Sequence, residues 1–389
     1  MRVGIIGAGI GGLVAAVGLQ RAGHEVAVFE RAPEPRREGS GLSLFGNAFT
    51  ALDAVGLGDA MRAVTAPAGL LRAGQRRPDG RWLATTPAAS LAALRIAHRS
   101  DVHRVLLSAL DPDTVRYGSD VLGVPASGDT VTLTTGAESF DVVVAADGIR
   151  SRVRSTWPGD PGVRYSGYST WRGVTATPVD LGGAAGETWG DGLRFGMAPL
   201  GDGRVYWFGV ASMPPGVALD DEWAAVNRHF AGWHSPIAEM LAATDPATVA
   251  RLDIHDLAGP LPTFRRGRCV LLGDAAHAMT PDLGQGAGQA MEDAATLAAL
   301  LAPLSDSDHG GIDAALDRYD ALRRPRTQSI ARRARSVGAV AQARGRTRVF
   351  LRDTAVRLIP ASLTARQLTA LQSWQPPSPA RSRTEGALR

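Results

Sequence analysis

A chain of 389 residues can bury a large core and favours two or three domains. All 42 of its Lys+Arg residues are arginine, and the formal net charge is only +4, which speaks against a dedicated polyanion-binding protein. The single cysteine, Cys269, cannot form an internal disulfide, and no stretch is apolar for long enough to span a bilayer, so a cytoplasmic protein is expected.

Arg2 to Ile6 reads as a buried strand, Gly7-Ala8-Gly9-Ile10-Gly11-Gly12 as a turn, and Ile10 to Ala22 as a helix. Glu25 to Phe29 is the next strand, ending at Glu30. This is a dinucleotide fingerprint in its full context: Gly7 makes the tight turn, Gly9 permits close approach of a pyrophosphate, Gly12 allows helix–strand packing, and Glu30 can accept from a ribose hydroxyl. Val3 to Leu19 has the look of a signal-peptide core, but its glycines sit at fingerprint positions and no cleavage pattern follows.

A Pro/Arg/Gly loop (33–41), a short helix near Asn47 to Val55 and a turn-rich hairpin region from Gly69 to Thr86 come next. A helix follows through Leu110, with Asp101 as its expected N-cap. Strands are predicted at Val121 to Pro125, Val131 to Thr134 and Phe140 to Ala145, the last leading to Asp147-Gly148. Alternation then marks Tyr165 to Thr175, Gly192 to Pro199 and Arg204 to Val210 as successive strands. Two helices (Asp220 to Ala231, Pro236 to Ala243) and a strand near Ala250 to His255 complete this block. Arginines clustered between Arg323 and Arg352 read as a solvated helix, because no nucleic-acid motif or interleaved aromatic series accompanies them.

The stretch Cys269 to Asp293 carries the most chemistry. A short apolar strand runs into Gly273-Asp274, then a turn with Pro281, Gly284, Gly286 and Gly288 opens an Ala-rich helix from Gln289 to Leu301. Backbone N–H groups and a helix N-terminus would there meet an electron-rich group. Several neighbours have plainer readings: His277 as a packed residue, Trp171 and Arg172 as sheet-face residues with the charge paired, and Cys269 as a small core residue.

Three motifs together, Gly7 to Gly12 with Glu30, Val144 to Ser151 around Asp147-Gly148, and Gly273-Asp274 with Pro281 to Gly286, resemble the class A flavoprotein monooxygenases. Within them the chain is similar to the branch of urate hydroxylases, salicylate hydroxylase-like enzymes and zeaxanthin epoxidase, over residues 1–374. The resemblance implies an α/β fold: a Rossmann-type FAD-binding domain (1–70, 98–163, 267–302) interleaved with a mostly antiparallel β-sheet substrate domain (71–97, 164–266). C-terminal helices (303–374) and a disordered tail (375–389) complete that layout.

It further implies FAD as cofactor, NADH or NADPH as co-substrate, O2, and a small aromatic or heteroaromatic substrate that is hydroxylated or epoxidised. A monomer or homodimer is expected, with no nucleic acid, no membrane span and no metal. FAD would be held by Gly7, Gly9, Gly12, Glu30, Arg31, Arg36 (or Arg37), Arg104, Asp147, Asp274, Pro281, Gly284, Gln285 and Gly286. Asp147 could equally be a turn residue, and Asp274 a capping one. Asp282, Arg204 and Tyr206 are the candidate catalytic residues facing substrate, although Arg204 also reads as a turn-end arginine in water. Gly288 departs from the family, where Asn or Cys is common. A flavin-dependent halogenase is disfavoured because the chain has no lysine. A plain dehydrogenase leaves the Gly273-Asp274 loop unexplained, and a non-catalytic or regulatory FAD-binding protein is the remaining alternative.

Overall fold

Strand Arg2–Ile6 pairs in parallel with Glu25–Glu30 on one side and Val142–Ala145 on the other. Its residues from Val3 onward are buried, as a strand covered on both faces requires. Val115–Tyr117 and Cys269–Leu271 extend this parallel sheet outward, and the two-residue strand Arg265–Arg266 closes one edge antiparallel. The computed structural model describes residues 1–35, 41–67, 71–127, 129–133 and 136–378.

Helix Ile10–Arg21 packs across helix Gly286–Leu301, and the approach is close because both carry small residues there. A Cβ on Gly11 or Gly18 would stand 3.0 Å from the methyl of Ala290 or Ala298. The Ala-rich sequence of the later helix thus answers to helix–helix distance.

The second large sheet has seven strands, in the order Ala250–Leu257, Val163–Val174, Val205–Ser212, Leu193–Pro199, Ala184–Trp189, Arg72–Arg76, Trp82–Thr86. All neighbours are antiparallel except Ala184–Trp189 and Arg72–Arg76. Ala184–Trp189 is absent from the sequence reading, since its glycine-rich approach resembles a turn. Equally unforeseen is a small antiparallel sheet of Gly41–Leu44, Arg95–His98 and Thr65–Pro67, whose strands are too short to show alternation.

Two helix starts also differ from expectation. Helix Arg99–Ser108 has His98 at its N-cap without a side-chain bond, while Asp101 lies within the first turn. The helix expected from Gln289 begins at Gly286. Helix His309–Ala341 bridges the two sheets: Tyr319 donates to the Leu271 carbonyl at 2.9 Å, and Arg335 donates to Asp256 at 2.8 Å. Two further helices, Arg346–Leu358 and Ala361–Gln372, follow it. Of the expected tail, residues 379–389 lie outside the described residues.

Candidate functional site

The fingerprint turn opens onto a cleft of about 1110 Å³, above the ~300–1,000 Å³ usual for small-molecule sites and so of a size suited to a dinucleotide. Gly7 (φ +102°) and Gly9 line it. A Cβ on Gly12 would lie 2.1 Å from the Gly7 carbonyl oxygen, whereas one on Gly9 would meet nothing within 4 Å. Glu30 accepts from the Ala8 and Ala32 backbone N–H groups, both at 2.9 Å, which aims its carboxylate along the rim.

Two buried polar atoms in this wall have no partner among the described residues: Tyr117 Oη and Asp147 Oδ1. The other Asp147 oxygen accepts from the Arg152 backbone at 2.9 Å, so this residue both caps a turn and leaves one oxygen for a ligand. Burial pushes the Asp147 carboxyl up from its ordinary value, against the hydrogen bonds it accepts. Arg31 lines the cleft without an ion pair among the described residues. Arg36 and Arg37 lie outside the described residues.

Arg104 requires correction. Its side chain is 68% exposed, pairs with Asp101 at 2.6 Å, and does not line the cleft. From the same helix it is Arg99 that lines the cleft, alongside His98, Ser100 and His103.

The Gly273 to Gly286 segment is shaped by a buried charge network that sequence reasoning missed. Asp293, fully inside the second turn of helix Gly286–Leu301, accepts from the Gly273 backbone N–H at 2.9 Å and from His277 Nε2 at 2.6 Å. Arg323 donates to Asp293 at 2.6 Å and to Glu292 at 2.5 Å, and Arg326 donates to Glu292 at 2.7 Å. Asn47 donates to both Glu292 (2.7 Å) and Gln285 (3.0 Å). Burial alone would raise the Asp293 carboxyl; His277 and Arg323 outweigh it and hold the group below the usual range.

Asp274 is solvent-exposed at the start of the short helix Asp274–His277. Pro281 begins a one-turn 3-10 segment ending at Gly284, whose left-handed φ (+61°) suits glycine. Gln285 is buried, and a Cβ on Gly286, the first residue of the long helix, would meet open space. Thr280 Oγ1 is buried and has no partner among the described residues.

The three candidate catalytic residues do not share one contact. Asp282 Oδ1 stands 2.7 Å from Arg194 Nη2 in an ion pair, and its Oδ2 accepts from Tyr168 Oη at 2.6 Å. Both Asp282 and Arg194 side chains are almost wholly buried. Burial works against the Arg194 charge, but Glu187 and Asp282 raise its pKa overall. Burial, then the Asp282 charge, pushes the Tyr168 phenol up, so it remains a donor.

Arg204 instead pairs with Asp202 at 2.7 Å on a turn, reaching the cleft edge. Tyr206 is buried in the sheet against Gly41, tilted toward Phe208. Trp171 is buried as expected, whereas Arg172 lines the cleft and has no ion pair among the described residues.

These features fit FAD: a dinucleotide turn, an acid at the second strand end, two orphaned polar atoms in the cleft, and a glycine-opened helix start with free space. Together with the antiparallel sheet across the cleft they are the features of an FAD-binding enzyme. The model of the family described as FAD binding domain matches residues 1–334, and the chain belongs to that family.

It is 36% identical to aurachin C monooxygenase/isomerase of Stigmatella aurantiaca, over 91% of this chain and 93% of that one. It is also 36% identical to the FAD-dependent urate hydroxylase of Klebsiella pneumoniae (86% and 89%). Identity to 2-heptyl-3-hydroxy-4(1H)-quinolone synthase of Pseudomonas aeruginosa is 35% (92% and 94%). The structure of Klebsiella pneumoniae HpxO with FAD and uric acid superposes with a TM-score of 0.86 at 31% identity, covering 96% of each chain. The protein is a single-component flavin monooxygenase that hydroxylates an aromatic or heteroaromatic substrate, and its class uses NAD(P)H. Among the described residues no helix is long and apolar enough to cross a membrane.

The two fingerprint glycines should separate fold from cofactor. Gly12→Ala drives a methyl into a backbone oxygen and is expected to cost about 3 kcal/mol of stability. Gly9→Val has room in the protein itself, so its thermal midpoint should hold while FAD affinity falls on the order of 100-fold. Flavin retention on gel filtration beside differential scanning fluorimetry reads both.

Proposed function

We propose that the substrate is a flat bicyclic heteroaromatic ring with ionisable N–H or O–H groups, recognised by Arg194, Asp282, Tyr168 and Thr280. The observation that carries this is a buried polar cluster in which Arg194 Nε and Thr280 Oγ1 have no hydrogen-bond partner among the described residues, beside the Arg194–Asp282 ion pair. Buried polar groups without partners are rare unless a ligand completes them. Relatives named for urate and for a quinolone, both bicyclic, support the same class.

In this reading FAD lies along Gly7, Gly9, Glu30, Arg31, Arg99 and Asp147. Asp274, Pro281, Gly284, Gln285 and Gly286 form its second wall. Gly12 acts by keeping the turn tight. When bound, FAD supplies the hydride acceptance from NADH or NADPH and the activation of O2. The remaining work belongs to side chains.

Tyr168 Oη donates to Asp282, which fixes that carboxylate while Arg194 holds its charge. Asp282 is then placed to take a proton from the ring, making it more electron-rich, and Arg194 to stabilise the resulting anion. Tyr206 and Gly41 close the sheet against the small sheet and exclude water, with Arg204 at the cleft edge rather than on the ring. The division proposed is a FAD domain, a substrate domain (71–97 and 164–266) and C-terminal helices, with strand Arg95–His98 lying across a boundary because it pairs with Gly41–Leu44 and Thr65–Pro67. A cytoplasmic monomer or homodimer belongs to the same proposal.

Holoprotein assayed for NAD(P)H oxidation against purines, quinolones and single-ring phenols tests the proposal. Bicyclic heteroaromatics should stimulate oxidation about ten-fold or more over single rings and gain one oxygen by mass spectrometry. Preference for a single-ring phenol would overturn it.

A further inference from the structure

Helix Arg346–Leu358 inverts the usual surface pattern. Its inner face is pinned by charge: Arg352 donates to the Gly190 carbonyl at 2.7 Å and pairs with Asp353 at 2.8 Å. Val356 joins it in a small cluster with Leu83, Trp189 and Ala341. At helical spacing the opposite face then carries Phe350, Leu351 and Leu358, which are 69%, 60% and 76% exposed. Ile359 and Leu363 continue the apolar surface into the next helix. Of the ten exposed large hydrophobic residues among those described, six lie between 340 and 363, and five of these fall on or just after this helix and at the start of the next.

Arginines border the stripe on both sides. Arg346 and Arg357 run along one flank and Arg348 along the other, and none forms an ion pair or hydrogen bond with any described residue. The only acid between residues 345 and 372 is Asp353, which is buried. A two-fold contact with a second copy would set this arginine border against itself, with no acid of its own to neutralise it. A surface of anionic headgroups over an apolar interior supplies both complements at once.

We propose that this face docks the enzyme peripherally on an anionic lipid bilayer, with Phe350, Leu351 and Leu358 entering the headgroup boundary and the arginines resting on lipid phosphates. Bilayer attachment needs no spanning helix and leaves the cleft of the FAD domain untouched.

The test is co-sedimentation of FAD-loaded full-length protein with vesicles of phosphatidylcholine alone, or of phosphatidylcholine and phosphatidylglycerol in equal parts. Binding should appear with the anionic vesicles, weaken as salt rises, and fall about five-fold for each of Arg346→Gln, Arg348→Gln and Arg357→Gln. The triple variant Phe350→Ser, Leu351→Ser, Leu358→Ser should abolish it while flavin absorbance and NAD(P)H oxidation in solution stay as in the parent. Failure of the parent protein to sediment with anionic vesicles overturns the proposal. So does a dimer on light scattering that the triple variant converts to monomer, since the face would then belong to a second copy.

Discussion

Arg323→Met is expected to lower the thermal midpoint by roughly 5–10 °C and to release the flavin, although residue 323 contacts neither cleft nor solvent. The guanidinium satisfies Asp293 through Nε, Glu292 through Nη1, and Gln289 through Nη2 at 2.9 Å. Methionine fills similar volume but takes the shared cation from two buried carboxylates, leaving Asp293 with His277 and the Gly273 N–H and Glu292 with Arg326 and Asn47. Breaking a buried pair in that way costs about 3–5 kcal/mol.

Because Asp293 also holds the Gly273 N–H, the turn into Asp274 loosens with it. The neighbouring Arg324→Met is the control: its pair with Asp320 is partly exposed, its loss leaves that carboxylate the Phe264 N–H, and stability should change by about 1 kcal/mol or less. The pH response follows from the same group. Asp293 is depressed in the fold, so its contribution is complete above the ordinary carboxylate range and lost as pH falls through the folded value. Without Arg323 that loss should begin at higher pH, which flavin fluorescence during an acid titration would show.

Arg194→Gln should leave FAD bound and the secondary structure intact by circular dichroism, lower the thermal midpoint as a broken buried pair does, and reduce kcat/KM for substrate-stimulated oxidation by roughly 10²-fold. The substitution removes the cation 2.7 Å from Asp282 and leaves the Tyr168 hydrogen bond in place. Asp282→Asn keeps the shape and hydrogen-bonding capacity but not the base. If the proposed proton transfer holds, it should lower kcat with little change in KM. A pure rise in KM for both variants would assign the cluster to binding alone. Arg204→Gln, at the cleft edge and paired among the described residues only with Asp202, should have the smaller effect on kcat of the two arginines.

Arg99 and Arg104 show where local reading stops. The helix was legible from its apolar residues, but the two arginines are five positions apart and point to different faces. Which face meets the cleft depends on Val102 and Leu106 packing into the core, and that is a tertiary fact. Likewise, Glu292 and Asp293 look like ordinary charges in an Ala-rich helix until Arg323 arrives from another helix. Their only sequence signal is an adjacent acid pair on an otherwise small-residue stretch bound to be buried.

Sequence by itself determined the features whose physics is local. The βαβ turn needs glycines at Gly7, Gly9 and Gly12 whatever surrounds it, the acid at Glu30 must end the second strand, and a left-handed backbone at Gly284 favours glycine. Only the tertiary structure decided the partners. Arg194, Tyr168 and Asp282 come from two strands and a distant loop, and sheet register sets which side chains share a face. Two buried charges cost too much to stand apart, so their pairing is decided by the whole fold and cannot be read from either residue's neighbours in the chain.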